Sequence, residues 1–138
     1  MRALFRAIRY CWLLLLAIPL GCTKDEDYLK VFRDQRAAMQ ELADILAKVQ
    51  DEKSMAAAQI ELEQRRPKFE AIASKAKALP MPLPPEVRQR LEEDKYLMTA
   101  AVERVRKESN RISKLPEGEN FLKQFESKSQ GLMTAVQR

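Results

Sequence analysis

The sequence predicts an all-α protein: an antiparallel three-helix bundle of long, coiled-coil-like helices, with a short fourth helix at the carboxyl end and a signal helix in front. Three observations support this prediction. Beyond residue 21 the chain contains only two glycines and is rich in Ala, Leu, Glu, Lys, Gln and Arg, the residues that favour helices. Its apolar residues recur at intervals of three and four, as on one face of a helix. No segment alternates apolar and polar residues as a half-buried strand does.

Three long helices are predicted over residues 26–49, 54–79 and 85–114, and short connections place consecutive helices antiparallel. Each helix carries one apolar stripe, which predicts a single shared core. The stripes are Leu29, Phe32, Ala38, Met39, Leu42, Ile45, Leu46 and Val49 in the first helix; Met55, Leu62, Phe69, Ile72, Ala76 and Leu79 in the second; and Val87, Leu91, Met98, Ala101, Val105, Ile112 and Leu115 in the third.

The second helix has recognisable boundaries and one internal irregularity. Asp51 or Ser54 is suited to cap its start, because a short polar side chain accepts a hydrogen bond from a free backbone N–H. Pro67 lies inside it, which predicts either a kink or two shorter helices that meet there. The proline-rich connector 80–85 ends the helix as an extended turn.

The fourth helix is predicted to be short. It covers residues 119–129, and Gly131 ends it. Its apolar residues include Phe121 and Phe125, which we expect to cap one end of the bundle by insertion into the core.

The beginning of the chain has the features of a secretory signal peptide. Three arginines within the first nine residues precede the apolar run 10–20 and Gly21. A helix of eleven residues spans roughly 16 Å, against about 30 Å for the hydrocarbon core of a bilayer, so the run is short for a membrane anchor. The sequence therefore predicts a signal peptide over 1–21 and a helical bundle domain over 22–138. The alternative is an uncleaved signal anchor.

Cys22 follows this segment directly. The stretch 18–22 resembles the lipobox of bacterial lipoproteins, which implies cleavage before Cys22 and attachment of diacylglycerol to its thiol. The alternative is an ordinary signal peptide cleaved nearby, with a free thiol. Thr23 stands where an aspartate would retain a lipoprotein at the inner membrane in enterobacterial-type sorting, which favours the outer membrane.

Removal of the signal peptide changes the net charge and the number of cysteines in the remaining domain. Without its three arginines the formal charge falls from +5 to +2, which gives little support for nucleic-acid binding. Cys11 leaves with the signal peptide, so the remaining domain has one cysteine and cannot form an internal disulfide.

We predict no catalytic residue, cofactor or metal site. The chain has no histidine, the commonest general base and metal ligand. Its densest carboxylates, Glu61 with Glu63 and the run 92–94, point in different directions on a helix. They are better interpreted as a solvated face that forms i,i+4 pairs such as Glu61 with Arg65 and Glu103 with Lys107. The methionines suit a core better than a copper(I) site, and the clustered Lys and Arg residues suit a solvated surface better than a polymer-binding patch.

The region after residue 21 resembles small, uncharacterised helical lipoproteins of bacteria. The resemblance depends on the junction Gly21–Cys22, the core segment 41–46 and the proline-rich connector, and it implies no known activity. We therefore expect a palmitate-bearing lipoprotein of the cell envelope on the periplasmic face, held to the membrane by the lipid on Cys22. Its expected role is that of a non-catalytic structural or interaction module for an envelope protein. The alternative is a periplasmic holdase-type chaperone with an apolar groove opened at Pro67.

Overall fold

The computed structural model describes the backbone of residues 22–136 and the side chains of residues 25–127, and every regular element in that part of the chain is an α-helix. The prediction of an all-α helical bundle is confirmed. The helices are α1 (Cys22–Ala47), α2 (Glu52–Ala78), α3 (Pro85–Arg90), α4 (Glu92–Ile112) and α5 (Gly118–Val136).

The helices α1 and α2 form an antiparallel pair. At one end the Tyr28 hydroxyl donates a hydrogen bond of 2.8 Å to the Pro80 carbonyl oxygen. At the other end the Lys48 ammonium lies 3.0 Å from a Glu61 carboxylate oxygen. We call the first of these the Cys22 end; it comprises the start of α1, the end of α2, the loop 79–84 and α3. The other is called the far end.

The helix α4 lies beside α1 and runs in the same direction, as an up-down-up arrangement requires. Arg90, just before α4, pairs with Glu26 near the start of α1. At the far end the Arg111 guanidinium donates hydrogen bonds to the carbonyl oxygens of Leu46, at 3.1 Å, and Val49, at 2.6 Å. These two carbonyl groups lie at the end of α1, so Arg111 both joins the helices and caps α1.

The helix α5 is longer than predicted and lies along α2, where the Gln59 amide donates a 2.9 Å hydrogen bond to the Gln124 side chain. Gly131 falls inside the helix, although glycine costs about 1 kcal/mol there relative to alanine. The prediction that Gly131 ends the helix is therefore wrong. Phe121 and Phe125 insert into the core as expected, stacked with ring centres 6.5 Å apart.

One large cluster of buried side chains, the main core, joins α1, α2, α4 and α5. The predicted stripes supply nearly all of it. Its buried members are Ala38, Met39, Leu42, Ala43, Ile45, Leu46, Val49, Met55, Ala58, Leu62, Phe69, Ile72, Met98, Ala101, Val105, Ile112, Phe121 and Phe125.

Both predicted cap residues act at the start of α2. The Ser54 backbone N–H donates to the Asp51 carboxylate at 2.8 Å, and the Asp51 N–H donates to the Ser54 hydroxyl at 2.9 Å, which is a reciprocal capping box. The helix is continuous across Pro67, so the alternative of two shorter helices is wrong. Pro67 is exposed, and water can hydrogen-bond to the carbonyl group that a proline leaves without a donor.

The predicted third helix is divided into α3 and α4 at Leu91. Hydrogen bonds from Leu91 N to Val87 O and from Lys95 N to Leu91 O keep the chain close to helical there. Past α4 the chain turns at Glu117, with a φ of 59°, and at Gly118. A Cβ on Gly118 would overlap the Ile112 carbonyl oxygen, so the turn requires glycine at this position.

Candidate lipid-attachment site

The described part of α1 starts at Cys22. The sequence predicts a helix start at Glu26, whereas residues 22–25 are already helical. No linker therefore separates the candidate lipid-bearing residue from the bundle. The side chain of Cys22 and the whole of segment 1–21, with the predicted signal peptide, lie outside the described residues.

A second, smaller cluster of buried side chains holds the start of α1 in place. This Cys22-end cluster has Tyr28, Leu29, Val87 and Leu91 as its buried members. Three partly buried apolar side chains pack against it: Phe32 of α1, and Leu79 and Leu83 of the loop 79–84. The sequence placed Leu29, Val87 and Leu91 on core stripes, but not in a cluster of their own.

Two polar contacts add to this cluster. The Tyr28 hydroxyl donates to the Pro80 carbonyl oxygen at 2.8 Å and so ties α1 to the loop that follows α2. The Arg90 guanidinium lies 2.8 Å from a Glu26 carboxylate oxygen and ties α3 to α1. The start of α1 is therefore in contact with two other elements, the loop 79–84 and α3.

The densest carboxylates in the sequence do not converge on one site. Asp94 is the most buried of them, and it pairs with Arg36 at 2.5 Å and with Arg33 at 3.5 Å. Glu92 pairs with Lys95 on the surface, at 2.6 Å. Arg33, Arg36 and Asp94 therefore join α1 to α4 and have a structural role.

The predicted i,i+4 pairs on α2 and α4 are replaced by other contacts. Glu61 pairs with Lys48 of α1, while Arg65 pairs with Glu41 of α1 at 2.6 Å. Glu103 lies 3.7 Å from Arg106, one residue nearer than the predicted partner. Glu61 and Arg65 thus hold α1 rather than each other, since the two helices lie side by side.

Asp51 and Arg66 have shifted pKa values, and both side chains lie on the surface. The hydrogen bond from the Ser54 side chain, followed by that from its backbone N–H, lowers the pKa of the Asp51 carboxyl. The hydrogen bond and charge of Glu70 raise the pKa of Arg66. Each shift has a local cause in a helix cap or an i,i+4 pair, and neither marks a reactive group.

The clustered Lys and Arg residues of α2 pair with carboxylates. Arg65 and Lys68 both contact Glu41, and Arg66 contacts Glu70. On α4, toward the far end, an open surface depression of about 490 Å³ is lined by long polar side chains. Those residues are Glu103, Arg106, Lys107, Asn110, Arg111 and Lys114. This is a solvated, mixed-charge surface, as the sequence predicts.

The methionines divide into two groups. Met39, Met55 and Met98 lie in the main core, on the predicted stripes. Met81, in the loop 79–84, is 59% exposed. The side chain of Met133 lies outside the described residues. In the part of the chain with described side chains, no three His, Cys, Asp or Glu residues are close enough to hold a metal ion.

No helix within the described residues is long and apolar enough to cross a membrane. Comparisons of the chain with protein-family models, with curated protein sequences and with solved structures give no match. The candidate site therefore depends on the position of Cys22 in the sequence and in the fold.

Proposed function

We propose that the protein is a lipid-anchored lipoprotein of the cell envelope and acts there as a non-catalytic structural or protein-interaction module. Cys22 bears the lipid. The observation that supports this most is the position of Cys22: it ends the signal-like segment in the sequence, and the backbone from Cys22 onward is already helical, so no linker separates it from the bundle.

The chemistry of such an anchor is straightforward. Each buried CH₂ group contributes about 0.8 kcal/mol, so one acyl chain binds a membrane weakly and two or more bind it stably. A diacylglycerol on the Cys22 thiol supplies two chains. Because α1 continues from this residue without a linker, the bundle stays next to the bilayer.

The use of the polar side chains supports an interaction module rather than an enzyme. The best-buried acid, Asp94, pairs with two arginines of α1, and Arg111 caps the end of that helix. Both groups stabilise helix–helix contacts, and the depression that Arg111 lines is an open surface feature.

The burial of the apolar stripes counts against the alternative of a holdase chaperone, which needs a sizeable exposed apolar groove. In the described region, the large apolar side chains with high exposure are few and occur on three different elements. They are Ile60 on α2, Met81 in the loop 79–84, and Tyr96 with Leu97 on α4.

The test is metabolic labelling with palmitate in cells that make the full chain. Cys22→Ser should abolish the label and leave the segment 1–21 attached, because no thiol receives the lipid. Cys11→Ser is the matched control: it removes the other cysteine, within the apolar run, and should leave labelling intact. Continued labelling of Cys22→Ser would refute the proposed anchor.

A further inference from the structure

We propose that the loop 79–84, with Met81 exposed on it, rests in the lipid headgroup layer as a second contact between the bundle and the membrane. This inference depends on the proposed function, since the lipid on Cys22 determines which end of the bundle meets the bilayer. The occupant of this surface is the bilayer of the anchoring membrane itself.

The position of the loop along the bundle axis supports the proposal. Tyr28 follows Cys22 by six residues, which is about 9 Å of helix at 1.5 Å per residue. The Tyr28 hydroxyl contacts Pro80 directly, and side chains on a helix lean toward its amino end, so Pro80 lies within about that distance of Cys22 along the axis of α1. The headgroup layer on each side of a bilayer is about 5–7 Å thick. The exposed side chain of Met81, the residue after Pro80, can therefore reach the headgroup layer.

The composition of the loop suits a membrane interface. Among the residues with described side chains, most large apolar ones are at least partly buried, yet Met81 is 59% exposed at the end of the bundle nearest Cys22. Three of the six loop residues are prolines, at positions 80, 82 and 84, and lack an N–H group, so the loop has few backbone donors to remove from water. Leu83 packs against the Cys22-end cluster and keeps the loop attached to the bundle.

The last turn of α2 adds positive charge at the same end. Lys75 and Lys77 are exposed there and make no ion pair with any residue whose side chain is described. Their long side chains can extend to lipid phosphates while the apolar stems lie along the bundle. The apolar contact of Met81 does not depend on lipid charge, so it should form on a zwitterionic bilayer too.

The experiment uses the full chain, made with its own signal segment, purified from membranes and reconstituted in phosphatidylcholine vesicles. Met81→Cys provides a thiol for an environment-sensitive fluorophore, and brominated phosphatidylcholine serves as a quencher in the bilayer. Ile60→Cys is the matched control, because Ile60 is 62% exposed but lies 18 residues back along α2, about 27 Å from its end. Both changes affect exposed side chains and should leave the fold intact, which circular dichroism checks.

We expect the label at position 81 to shift its emission to the blue and to lose intensity with brominated lipid, while the label at position 60 does neither. Equal responses at the two positions would overturn the proposal, as would a label at position 81 that is insensitive to brominated lipid. If the loop contacts an envelope protein instead of lipid, the label at position 81 would be insensitive to brominated lipid in these vesicles, which contain no other protein.

The number of labels per chain separates failure of this inference from failure of the anchor. An acylated Cys22 has no free thiol, so each variant should take up one fluorophore. More than one label per chain shows that Cys22 or Cys11 keeps a free thiol, so that either acylation or removal of segment 1–21 has failed, and this contradicts the proposed function. One label per chain without quenching at position 81 contradicts only the membrane contact of the loop.

Discussion

The main core and the Cys22-end cluster differ in size and in the way they are built. Among the described residues the main core has eighteen buried members from four helices, whereas the Cys22-end cluster has four, from α1, α3 and the residue between α3 and α4. Because burial stabilises in proportion to apolar area, most of the folding free energy resides away from the end that bears Cys22. The smaller cluster depends more on single contacts, such as Tyr28 with Pro80.

The largest expected effect comes from a matched pair of leucine truncations, one in each region. Leu42 and Leu91 are both essentially inaccessible to solvent. Leu42→Ala should lower the global free energy of unfolding by about 2–5 kcal/mol, since it leaves a cavity where the helices meet. Leu91→Ala should lower it less and act mainly by local opening of α3 and the start of α1. Urea unfolding and amide hydrogen exchange, on a chain that begins at Thr23, measure both effects.

Hydrogen exchange gives the sharper comparison. In Leu91→Ala, amides around Tyr28 and Val87 should lose protection while those around Leu46 keep it. If protection falls equally in both regions, the two clusters unfold as one unit and the distinction between them is wrong.

The main core could be predicted from sequence because it is periodic. The stripe Met39, Leu42, Leu46 and Val49 and the stripe of α4 follow the helix period, and they are buried as predicted. A helix period is a local property, and each helix here is long enough to display it several times.

The parts that could not be predicted depend on tertiary contacts. Propensity favours a helix end at Gly131, yet α5 continues through it. Propensity also cannot show that Glu41 pairs with Arg65 of the next helix. At the candidate site, Cys22 could be proposed from sequence, whereas its place within α1 and the nearness of the loop at Pro80 required the fold.

An intermediate effect is expected at Asp94, which lies between the two regions and joins α1 to α4. Its side chain is 11% exposed and that of its partner Arg36 is 24% exposed. Asp94→Ala should cost about 1–3 kcal/mol, because it leaves the guanidinium partly buried without its partner. The control is Glu26→Gln, which breaks the exposed pair with Arg90 and should cost about 1 kcal/mol or less. Equal losses in urea unfolding would mean that Asp94 does not fasten the helices.

The smallest effect concerns acid unfolding at the far end, where Asp51 caps α2. The hydrogen bonds from Ser54 lower the pKa of this carboxyl in the folded state below its ordinary value of 3.8. Its stabilising contribution is therefore present above pH 3.8 and is lost as the pH falls through the lower, folded pKa. Thermal unfolding between pH 5 and pH 2, followed by circular dichroism, should fall less steeply with acid in Asp51→Asn.

Ser54→Ala tests the cause of that shift. It removes the side-chain hydrogen bond while it keeps the Asp51 carboxyl, so it should also flatten the acid dependence. A slope that neither variant changes would mean that the capping box does not contribute to acid stability.

The proposed function requires that the bundle be joined to the membrane through Cys22, where α1 is already helical. The test is the intact mass, with the amino-terminal peptide sequenced by mass spectrometry, of the protein recovered from membranes of cells that express the full chain. We expect a chain that begins at Cys22 and carries a diacylglycerol on that residue. A chain that retains residues 1–21, or one with a free thiol at Cys22, would contradict it.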